Sequence, residues 1–257
     1  MKGIILAAGK GVRLNGATGD DPKCLLRVGE MTLIERQIRA LQAEGINDIV
    51  AVVGFGADRV RQVCGPEITY VENSRYDRTN SLFSLWLARR LLQGGFVVMN
   101  ADVLFHPQLL HDLLTARYPD ALLVAYCDER TPLLGEEEMK VKVRAGKVVD
   151  VSKVMLPQEA DGENVGIVKF GPEGAKLLAS IMDTLIASGG ERHWAPRAFL
   201  EFAALRPLYA IGTRGFPWIE IDFPEDYCRA VEEILPAMRA AAGEFGAAQQ
   251  TAAVTGG

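Results

Sequence analysis

Two glycines and two cationic side chains follow the first apolar segment of the chain at a spacing suited to phosphate binding. Residues 3–7 form a short apolar run that predicts a buried strand. Gly9 and Gly11 come directly after it, and small residues at such a point let backbone N–H groups approach an anion closely. Arg13 and Lys23 add positive charge suited to a polyphosphate. The stretch predicts a triphosphate-binding loop; the simpler alternative is a glycine-rich turn with solvated cations.

Several other kinds of site lack support in the sequence. No Gly-Lys-Ser/Thr follows the glycines, so the loop is not a P-loop, and Leu14 stands where the last glycine of a dinucleotide fingerprint belongs. His106, His111 and His193 do not cluster in the sequence, which gives no support to a zinc site or a histidine-based nucleophilic triad.

Two aspartates each follow an apolar segment that predicts a strand. Asp102 comes after the run at 96–99, and Asp222 comes after the run at 218–221. If both strands belong to one sheet, the two carboxylates can meet at its ligand-binding edge, where an aspartate is well placed to hold Mg²⁺. The alternative for each is a helix cap or a turn.

The motifs around these residues resemble those of the nucleotidyltransferase (pyrophosphorylase) superfamily, and most closely its phosphocholine cytidylyltransferase-like branch. The usual first motif there is L-A-A-G-x-G-[ST]-R-L followed by P-K. Residues 6–14 read LAAGKGVRL, with Val12 in place of Ser/Thr, and Pro22-Lys23 follows. Residues 100–102 read NAD and residues 218–226 read WIEIDFPED, similar to the two metal-binding segments of the superfamily. Residues 79–85, TNSLFSL, resemble the N-[NS]-x-x-S-L stretch of the branch.

The resemblance, which extends from Gly3 to about Ile234, implies a fold, a reaction and a set of site residues. The fold would be α/β, a doubly wound, mainly parallel mixed sheet (Rossmann-like) with an inserted β-hairpin region for the acceptor. The reaction would join CMP from CTP to a small phosphorylated alcohol and release pyrophosphate. Asp102 and Asp222 would hold Mg²⁺, and Arg13 and Lys23 would act on the triphosphate. The nucleotide would lie against Leu6, Ala7, Ala8, Gly9, Gly11, Asn80 and Ser81.

The acceptor side is expected around Lys153, Glu163, Glu191 and Trp194. Trp194 lies in a segment rich in glycine and charge, where it would form one wall of a cage for a quaternary ammonium with Glu191 as counter-charge. An isolated tryptophan is more often a core residue. The lysines of the hairpin are interpreted as solvated, except that Lys153 ends a strand beside a loop and is expected to meet the acceptor's phosphate.

The elements that position these residues follow from the hydrophobic pattern. Apolar strands at 3–7, 48–53 and 68–71 alternate with helical patterns at 32–45 and 57–63, which predicts parallel strands with helices on both faces. A β-hairpin is predicted over 139–151, a strand at 165–170, a helix at 174–187 and a last helix at 227–241. We expect a single nucleotidyltransferase domain over 1–241 and a disordered tail over 242–257.

Composition narrows the class of protein. The 257 residues carry a formal net charge of −5, which argues against a general nucleic-acid binder. No apolar run is long enough to span a bilayer, no signal peptide precedes the first strand, and the four scattered cysteines indicate reduced thiols. We therefore expect a soluble, cytoplasmic protein that binds CTP and a small phosphorylated substrate, without nucleic-acid or membrane partners. The sequence leaves a homo-oligomer open.

Three other functions remain compatible with these residues. One is a sugar-1-phosphate pyrophosphorylase that uses UTP, dTTP or GTP, and another is an inositol-phosphate or phosphonate cytidylyltransferase. A third, from a different class, is a catalytically silent regulatory module that binds nucleotide. The presence together of Arg13, Lys23, Asp102 and Asp222 favours an active enzyme.

Overall fold

The computed structural model describes residues 1–14, 21–127 and 134–241, apart from the side chain of Val12, so the predicted tail at 242–257 lies outside the described residues. The strands are β1 (Lys2–Ala7), β2 (Arg27–Val28), β3 (Met31–Thr32), β4 (Ile49–Val53), β5 (Thr69–Glu72), β6 (Phe96–Asn100), β7 (Val103–Phe105), β8 (Ala121–Tyr126), β9 (Lys140–Arg144), β10 (Lys147–Ser152), β11 (Gly162–Phe170), β12 (Tyr209–Gly212) and β13 (Trp218–Glu220). The α-helices are α1 (Leu33–Ala43), α2 (Ala57–Cys64), α3 (Ser81–Leu87), α4 (Pro107–Thr115), α5 (Pro172–Ala187), α6 (Pro196–Leu205) and α7 (Pro224–Arg229).

A nine-stranded mixed sheet forms the centre, in the order β5-β4-β1-β6-β11-β8-β12-β10-β9. The strands β5, β4, β1 and β6 are parallel to one another, whereas β11 runs antiparallel to both β6 and β8. The predicted hairpin, β9–β10, closes one end of this sheet. The α/β class with a mixed sheet and an added hairpin is therefore the one expected from the sequence.

Helices cover both faces of the sheet because its strands are apolar on both sides. Ile5 of β1 belongs to a core shared with α1, α2 and α4, while its neighbour Ile4 belongs to a core shared with α3, α5 and α6. All five residues of β4 are buried, as expected for a parallel strand that is covered on both faces. Among the described residues, no helix combines the length and the apolar character that crossing a membrane requires.

The order of the parallel strands reverses beside β1. The chain proceeds from β1 outward to β4 and β5, then returns to place β6 on the other side of β1. Ligands of open α/β sheets bind at such a switch point, beyond the carboxyl ends of the strands. The glycine loop after β1 and the turn that carries Asp102 after β6 both lie there.

Some elements differ from those predicted. Asp222 follows β13, but β13 pairs with β7 in a separate two-stranded sheet and not with the main sheet. The expectation that Asp102 and Asp222 follow strands of the same sheet is therefore wrong, because β6 and β13 belong to different sheets. The pattern also does not predict α6, whose N-cap residue, Ala195, offers no side-chain cap. The last helix begins at Pro224, three residues earlier than predicted, and contains a π-helical turn at Ala230–Ile234 before it continues to 241.

A buried carboxylate ties α5 to the antiparallel half of the sheet. Asp120 is 1% exposed, and its Oδ1 accepts a hydrogen bond from the backbone N–H of Gly171, 3.0 Å away, at the start of α5. Its Oδ2 pairs with Nε of Arg206 at 2.6 Å, beyond the end of α6. Gly174 packs against the carboxylate of Asp120, and a Cβ atom added to Gly174 would lie only 1.9 Å from Oδ1 of Asp120. One carboxylate thus connects two helices and a strand.

We predict that Asp120→Asn lowers the free energy of unfolding by about 1–3 kcal/mol, since it removes the charge that pairs with Arg206 inside the protein. The measurement is urea denaturation followed by circular dichroism. Glu173→Gln is the matched control, because Glu173 pairs with Lys176 on the exposed surface of α5, where ion pairs contribute little. Equal denaturation midpoints for both variants would contradict a stabilising role for Asp120.

Candidate active site

A cleft of ≈ 230 Å³ opens at the switch point and collects most of the residues singled out from the sequence. The glycine loop, the start of α3, the turn after β6 and the segment after β13 all contribute to its walls. The predicted site residues that line it are Leu6, Ala8, Gly9, Arg13, Asn80, Ser81, Asp102, Lys153, Trp194 and Asp222. Ala7 is buried at the end of β1. Gly11 lies behind the cleft and packs against Lys23, so closely that a Cβ atom added to Gly11 would lie 2.8 Å from the Cβ of Lys23.

Lys23 joins the two aspartates at the floor of the cleft. Its Nζ donates to Oδ2 of Asp102 at 2.8 Å and also to Oδ1 of Asp222. Burial of the ammonium opposes its charge, but the two carboxylates raise the pKa of Lys23. In turn Lys23, with help from Arg13, overcomes the effect of burial and lowers the pKa of Asp222. The two carboxylates therefore converge on one cationic position although their strands belong to different sheets.

Arg13 extends this charge cluster towards the mouth of the cleft. One guanidinium nitrogen lies 2.9 Å from Oδ2 of Asp222 and another lies 2.9 Å from Oε2 of Glu137. The guanidinium also stacks over the ring of Phe223, 4.9 Å from its centroid. Almost half of the side chain remains exposed, so Arg13 is anchored and still accessible from the cleft.

Buried polar groups fix the backbone that carries the aspartates. Nε2 of Gln37, in α1, donates to the carbonyl oxygens of Asn100 at 2.8 Å and Val103 at 3.0 Å, on either side of Asp102. The backbone N–H of Ile221 donates to the carbonyl oxygen of Asp102 at 3.0 Å, which links the two aspartate segments directly. Oδ2 of Asp226 accepts a hydrogen bond from the backbone N–H of Asp222 at 3.0 Å.

The start of α3 is held by a network of polar side chains. The buried amide of Asn73 donates to the hydroxyls of Thr79 at 3.0 Å and Ser84 at 3.1 Å. Asn80 caps α3 by accepting a hydrogen bond from the N–H of Ser81 at 2.8 Å. The hydroxyl oxygen of Ser81 accepts a hydrogen bond from the N–H of Ala195 at 2.9 Å, which ties the segment before α6 to the cleft.

Trp194 stands at the wall of the cleft and is not a core residue. Its side chain is 48% exposed, and Nζ of Lys153 lies over its ring, 5.2 Å from the centroid. The interpretation of the hairpin lysines as solvated is wrong for Lys140, which is 1% exposed. Nζ of Lys140 donates to the carbonyl oxygens of Lys153 at 2.9 Å and Glu138 at 3.3 Å. A buried ammonium therefore fixes the backbone from which Lys153 extends.

Two predicted acceptor residues do not line this cleft. Glu191 pairs with Arg75 at 3.6 Å, while its backbone oxygen accepts a hydrogen bond from the N–H of Asn80 at 2.8 Å. Glu163 lines a neighbouring pocket of ≈ 520 Å³, which shares Glu220 and Asp222 with the cleft. This second pocket combines carboxylates with aromatic rings, and it contains Glu137, Glu138, Glu163, Glu220, Asp222, Asp226, Tyr126, Phe216, Trp218 and Phe223.

The donor set at the floor of the cleft fits a magnesium ion. Oδ1 of Asp102 is buried without a hydrogen-bond partner in the described part of the chain, and Asp102 and Asp222 both contact the ammonium of Lys23. In residues 1–14, 21–127 and 134–241, no group of three or more His, Cys, Asp and Glu forms a metal site. Mg²⁺ is commonly held by one or two carboxylates together with substrate phosphates, so Asp102 and Asp222 are a sufficient protein contribution.

The sequence interpretation missed several residues of the cleft. Glu220 lies two residues before Asp222, and the period of two along a strand was a signal that both side chains share a face. Burial, together with the charges of Asp102 and Asp222, raises the pKa of Glu220 to about 8. Asn73 also lines the cleft, but nothing in its spacing distinguished it from other polar residues at strand ends.

Comparison with known proteins places the chain among nucleotidyltransferases. The MobA-like NTP transferase domain matches residues 3–204. The chain is 29% identical to the choline-phosphate cytidylyltransferase of Streptococcus pneumoniae over 244 residues, which span 91% of this chain and 98% of that protein. It is 27% identical to the CTP:phosphoglutamine cytidylyltransferase of Campylobacter jejuni over 250 residues, or 88% of this chain and 97% of that protein.

A solved structure supports the same relationship. The CTP:phosphocholine cytidylyltransferase from Streptococcus pneumoniae has a TM-score of 0.72 and 27% identity to the chain, and the match covers 91% of this chain and 98% of that one. These similarities confirm the predicted superfamily and the predicted mixed α/β fold.

Glu163 makes stability depend on pH. Burial, followed by the neighbouring charge of Glu138, raises its pKa to about 7, whereas an unfolded glutamate titrates near 4.5. The folded state therefore binds a proton more tightly than the unfolded state. Below pH 4.5 both states are protonated, and the stabilisation from this proton is lost as the pH rises towards 7.

We predict that Glu163→Gln removes this loss, so that its free energy of unfolding relative to the wild type increases between pH 5 and pH 8, by up to about 3 kcal/mol. Urea denaturation across this range measures the difference. Glu136→Gln, at an exposed position of the same acidic run, controls for the removal of a carboxylate. Parallel profiles for Glu163→Gln and the wild type would show that Glu163 is not held in its protonated form.

Proposed function

Because the chain belongs to the MobA-like NTP transferase domain family, we propose that it transfers CMP from CTP to the phosphate of a small phosphorylated alcohol. The observation that carries the proposal is the convergence of Asp102 and Asp222 on Lys23, beside Arg13 and the glycine loop. This cluster combines oxygen ligands for a cation with positive charges for phosphate oxygens. The products would be a CMP-linked diphosphate and pyrophosphate.

The chain's own residues can perform this reaction without a general base. The attacking group is a phosphate oxygen of the acceptor, which is already anionic when it approaches the α-phosphorus of CTP. Arg13 and Lys23 would bind the triphosphate and offset the charge that builds up during transfer. Gly9 leaves room for backbone N–H groups to approach the phosphates, and Gly11 leaves room for the side chain of Lys23 behind the cleft. Proton transfer is thus not required of any side chain in the cleft.

A divalent metal is generally used by nucleotidyltransferases of this family, and we assign Mg²⁺ to Asp102 and Asp222. When bound, Mg²⁺ would neutralise charge on phosphate oxygens. Two observations support this assignment: Oδ1 of Asp102 has no hydrogen-bond partner in the described residues, and the pKa of Asp222 is lowered, which favours its ionised form.

Cytosine recognition is assigned to the start of α3. Asn80 and Ser81 line the cleft opposite the aspartates, with the amide nitrogen of Asn80 not engaged by any group in the described residues. An amide and a hydroxyl can donate to and accept from the polar edge of a pyrimidine, and such a site rejects bases that leave these groups unpaired. The two relatives from Streptococcus pneumoniae and Campylobacter jejuni are both cytidylyltransferases, which favours CTP over other nucleotides.

The acceptor is proposed to carry a cationic group, as phosphocholine does. Nζ of Lys153 lies over the ring of Trp194, and this contact supports a role for the ring in binding a cation. The neighbouring pocket is lined by six acidic side chains against one arginine, Arg229. Although the pKa values of Glu163 and Glu220 are raised, the other four acidic side chains favour a positively charged ligand. The phosphate of such an acceptor would approach Lys153 and Arg13 at the junction of the two pockets.

The experiment that tests the proposed function is pyrophosphate release over a panel of nucleoside triphosphates and phosphorylated alcohols. We expect the highest kcat/KM with CTP and a cationic acceptor such as phosphocholine. Arg13→Ala and Lys23→Ala should each lower kcat/KM more than about tenfold, since a lost charge-assisted contact in the transition state contributes about 1.4 kcal/mol or more. Arg90→Ala, at an exposed arginine outside the cleft, is the control. Near-wild-type turnover of folded Arg13→Ala and Lys23→Ala would overturn the assignment of the loop.

Trp194→Ala separates acceptor binding from nucleotide binding. A cation–π contact contributes roughly 0.5–2 kcal/mol, so the KM for phosphocholine should rise by about 2- to 30-fold while the KM for CTP stays nearly constant. Trp194→Phe keeps an aromatic face and should restore most of the affinity. If phosphocholine gives no turnover while a sugar or polyol phosphate does, the aromatic-cage assignment is wrong and the nucleotidyl transfer itself stands.

A further inference from the structure

A third cavity, of ≈ 570 Å³, is separate from the cleft and shares none of the residues that line the cleft. It is bounded by α1, the start of α4 and helical residues 235–241. Its polar lining consists mainly of nitrogen-bearing side chains, and it includes Arg36, Arg239, His106 and His111.

Two guanidinium groups approach each other at this cavity, and neither forms an ion pair with a carboxylate in the described residues. A Cβ placed on Gly29 would lie 3.3 Å from Nη2 of Arg36 and 3.8 Å from Nη2 of Arg239, so the two groups flank the same point. Arg36 donates to the backbone oxygen of Val28, but its Nε is buried and has no partner among the described residues. Burial and the charge of Arg239 lower the pKa of Arg36. Two cations held this close are stabilised by an anion between them.

His106 adds a third unpaired donor. It is 6% exposed and caps α4, with Nδ1 accepting a hydrogen bond from the N–H of Gln108 at 3.1 Å. In the neutral ring the proton is then on Nε2, which is buried and has no partner in the part of the chain described. A buried donor without a partner is costly, and a ligand that accepts its hydrogen bond removes this cost.

The acidic residues that line the cavity form no ion pair with Arg36 or Arg239 in the described part of the chain. Glu44 is engaged by Nδ1 of His111, which lies 3.2 Å from both of its carboxylate oxygens. Glu30 lines the cavity, but no oxygen of its carboxylate lies within 4.0 Å of a cation in the described residues. The charge of Glu30 acts on Arg36 from a distance, and in the described residues no carboxylate is in contact with the guanidinium group of Arg36 or of Arg239.

We propose that this cavity is a second ligand site that binds an oxyanion, a phosphate or carboxylate group, between the guanidinium groups of Arg36 and Arg239. The planar guanidinium can donate two parallel hydrogen bonds to such a group, and His106 supplies a further donor on the wall of the same cavity. The site is independent of the transfer reaction, so its existence does not rest on the proposed function.

The test is isothermal titration with inorganic phosphate at constant ionic strength, in an Arg13→Ala background that weakens phosphate binding in the cleft. We expect a binding event whose Kd rises at least tenfold in Arg239→Gln and stays unchanged in Arg90→Gln. Arg239 is exposed, so its replacement leaves the core intact, and Arg36→Gln serves as the second variant.

A parallel titration with acetate distinguishes the source of the oxyanion. Binding of phosphate alone identifies a phosphoryl group as the ligand, and binding of acetate with the same dependence on Arg239 identifies a carboxylate. If neither anion binds in the Arg13→Ala background, or if Arg239→Gln binds both as tightly as Arg90→Gln, the proposed site does not exist.

Discussion

The ammonium of Lys23, held between Asp102 and Asp222, is the contact on which the cleft depends. Lys23 lies on a short 3₁₀ turn, and its side chain is only 11% exposed. Its two ion pairs bring together segments that are 79 and 199 residues away in sequence. Neither aspartate could be buried at this point without a cation, because two carboxylates in a poorly solvated site repel each other. The glycine loop, the turn after β6 and the segment after β13 are therefore fixed relative to one another by charge.

Hydrogen bonds around this contact fix the positions of the two aspartate segments. Gln37 satisfies the backbone on both sides of Asp102, and Asp226 holds the backbone of Asp222. These groups bind the backbone of the two aspartate segments, so the carboxylates remain paired with Lys23 and Arg13. Lys140 plays a similar part on the other wall, where it fixes the backbone of Lys153. The charged groups of the cleft are thus supported by polar groups that are themselves buried, an arrangement that preorganises the cleft for charged ligands.

The parallel half of the molecule could be predicted from the sequence because its signals are local. Apolar strands and amphipathic helices repeat at fixed periods, and the glycine loop follows the first strand directly. The pairing of β13 with β7 could not be predicted, since both are three residues long and their partners are set by tertiary contacts. Lys140 looked like any surface lysine of a hairpin, because its burial arises from carbonyl groups that only the folded connection after β10 brings near. For the same reason, the separation of Glu163 and Glu191 from the cleft depends on packing that spacing does not encode.

The position of the hairpin β9–β10 at the end of the sheet has a consequence for how such a molecule can diversify. The connections that flank it carry Glu137, Glu138 and Lys153, on the side assigned to the acceptor, while the nucleotide side lies on β1, β6 and the start of α3. The hairpin pairs with β12 and β11 but with none of the parallel strands β5, β4, β1 and β6, so it can change length or sequence while those four strands keep their order. Changes in the hairpin can thereby alter which acceptor binds, while the strands β1 and β6 keep the residues assigned to the nucleotide.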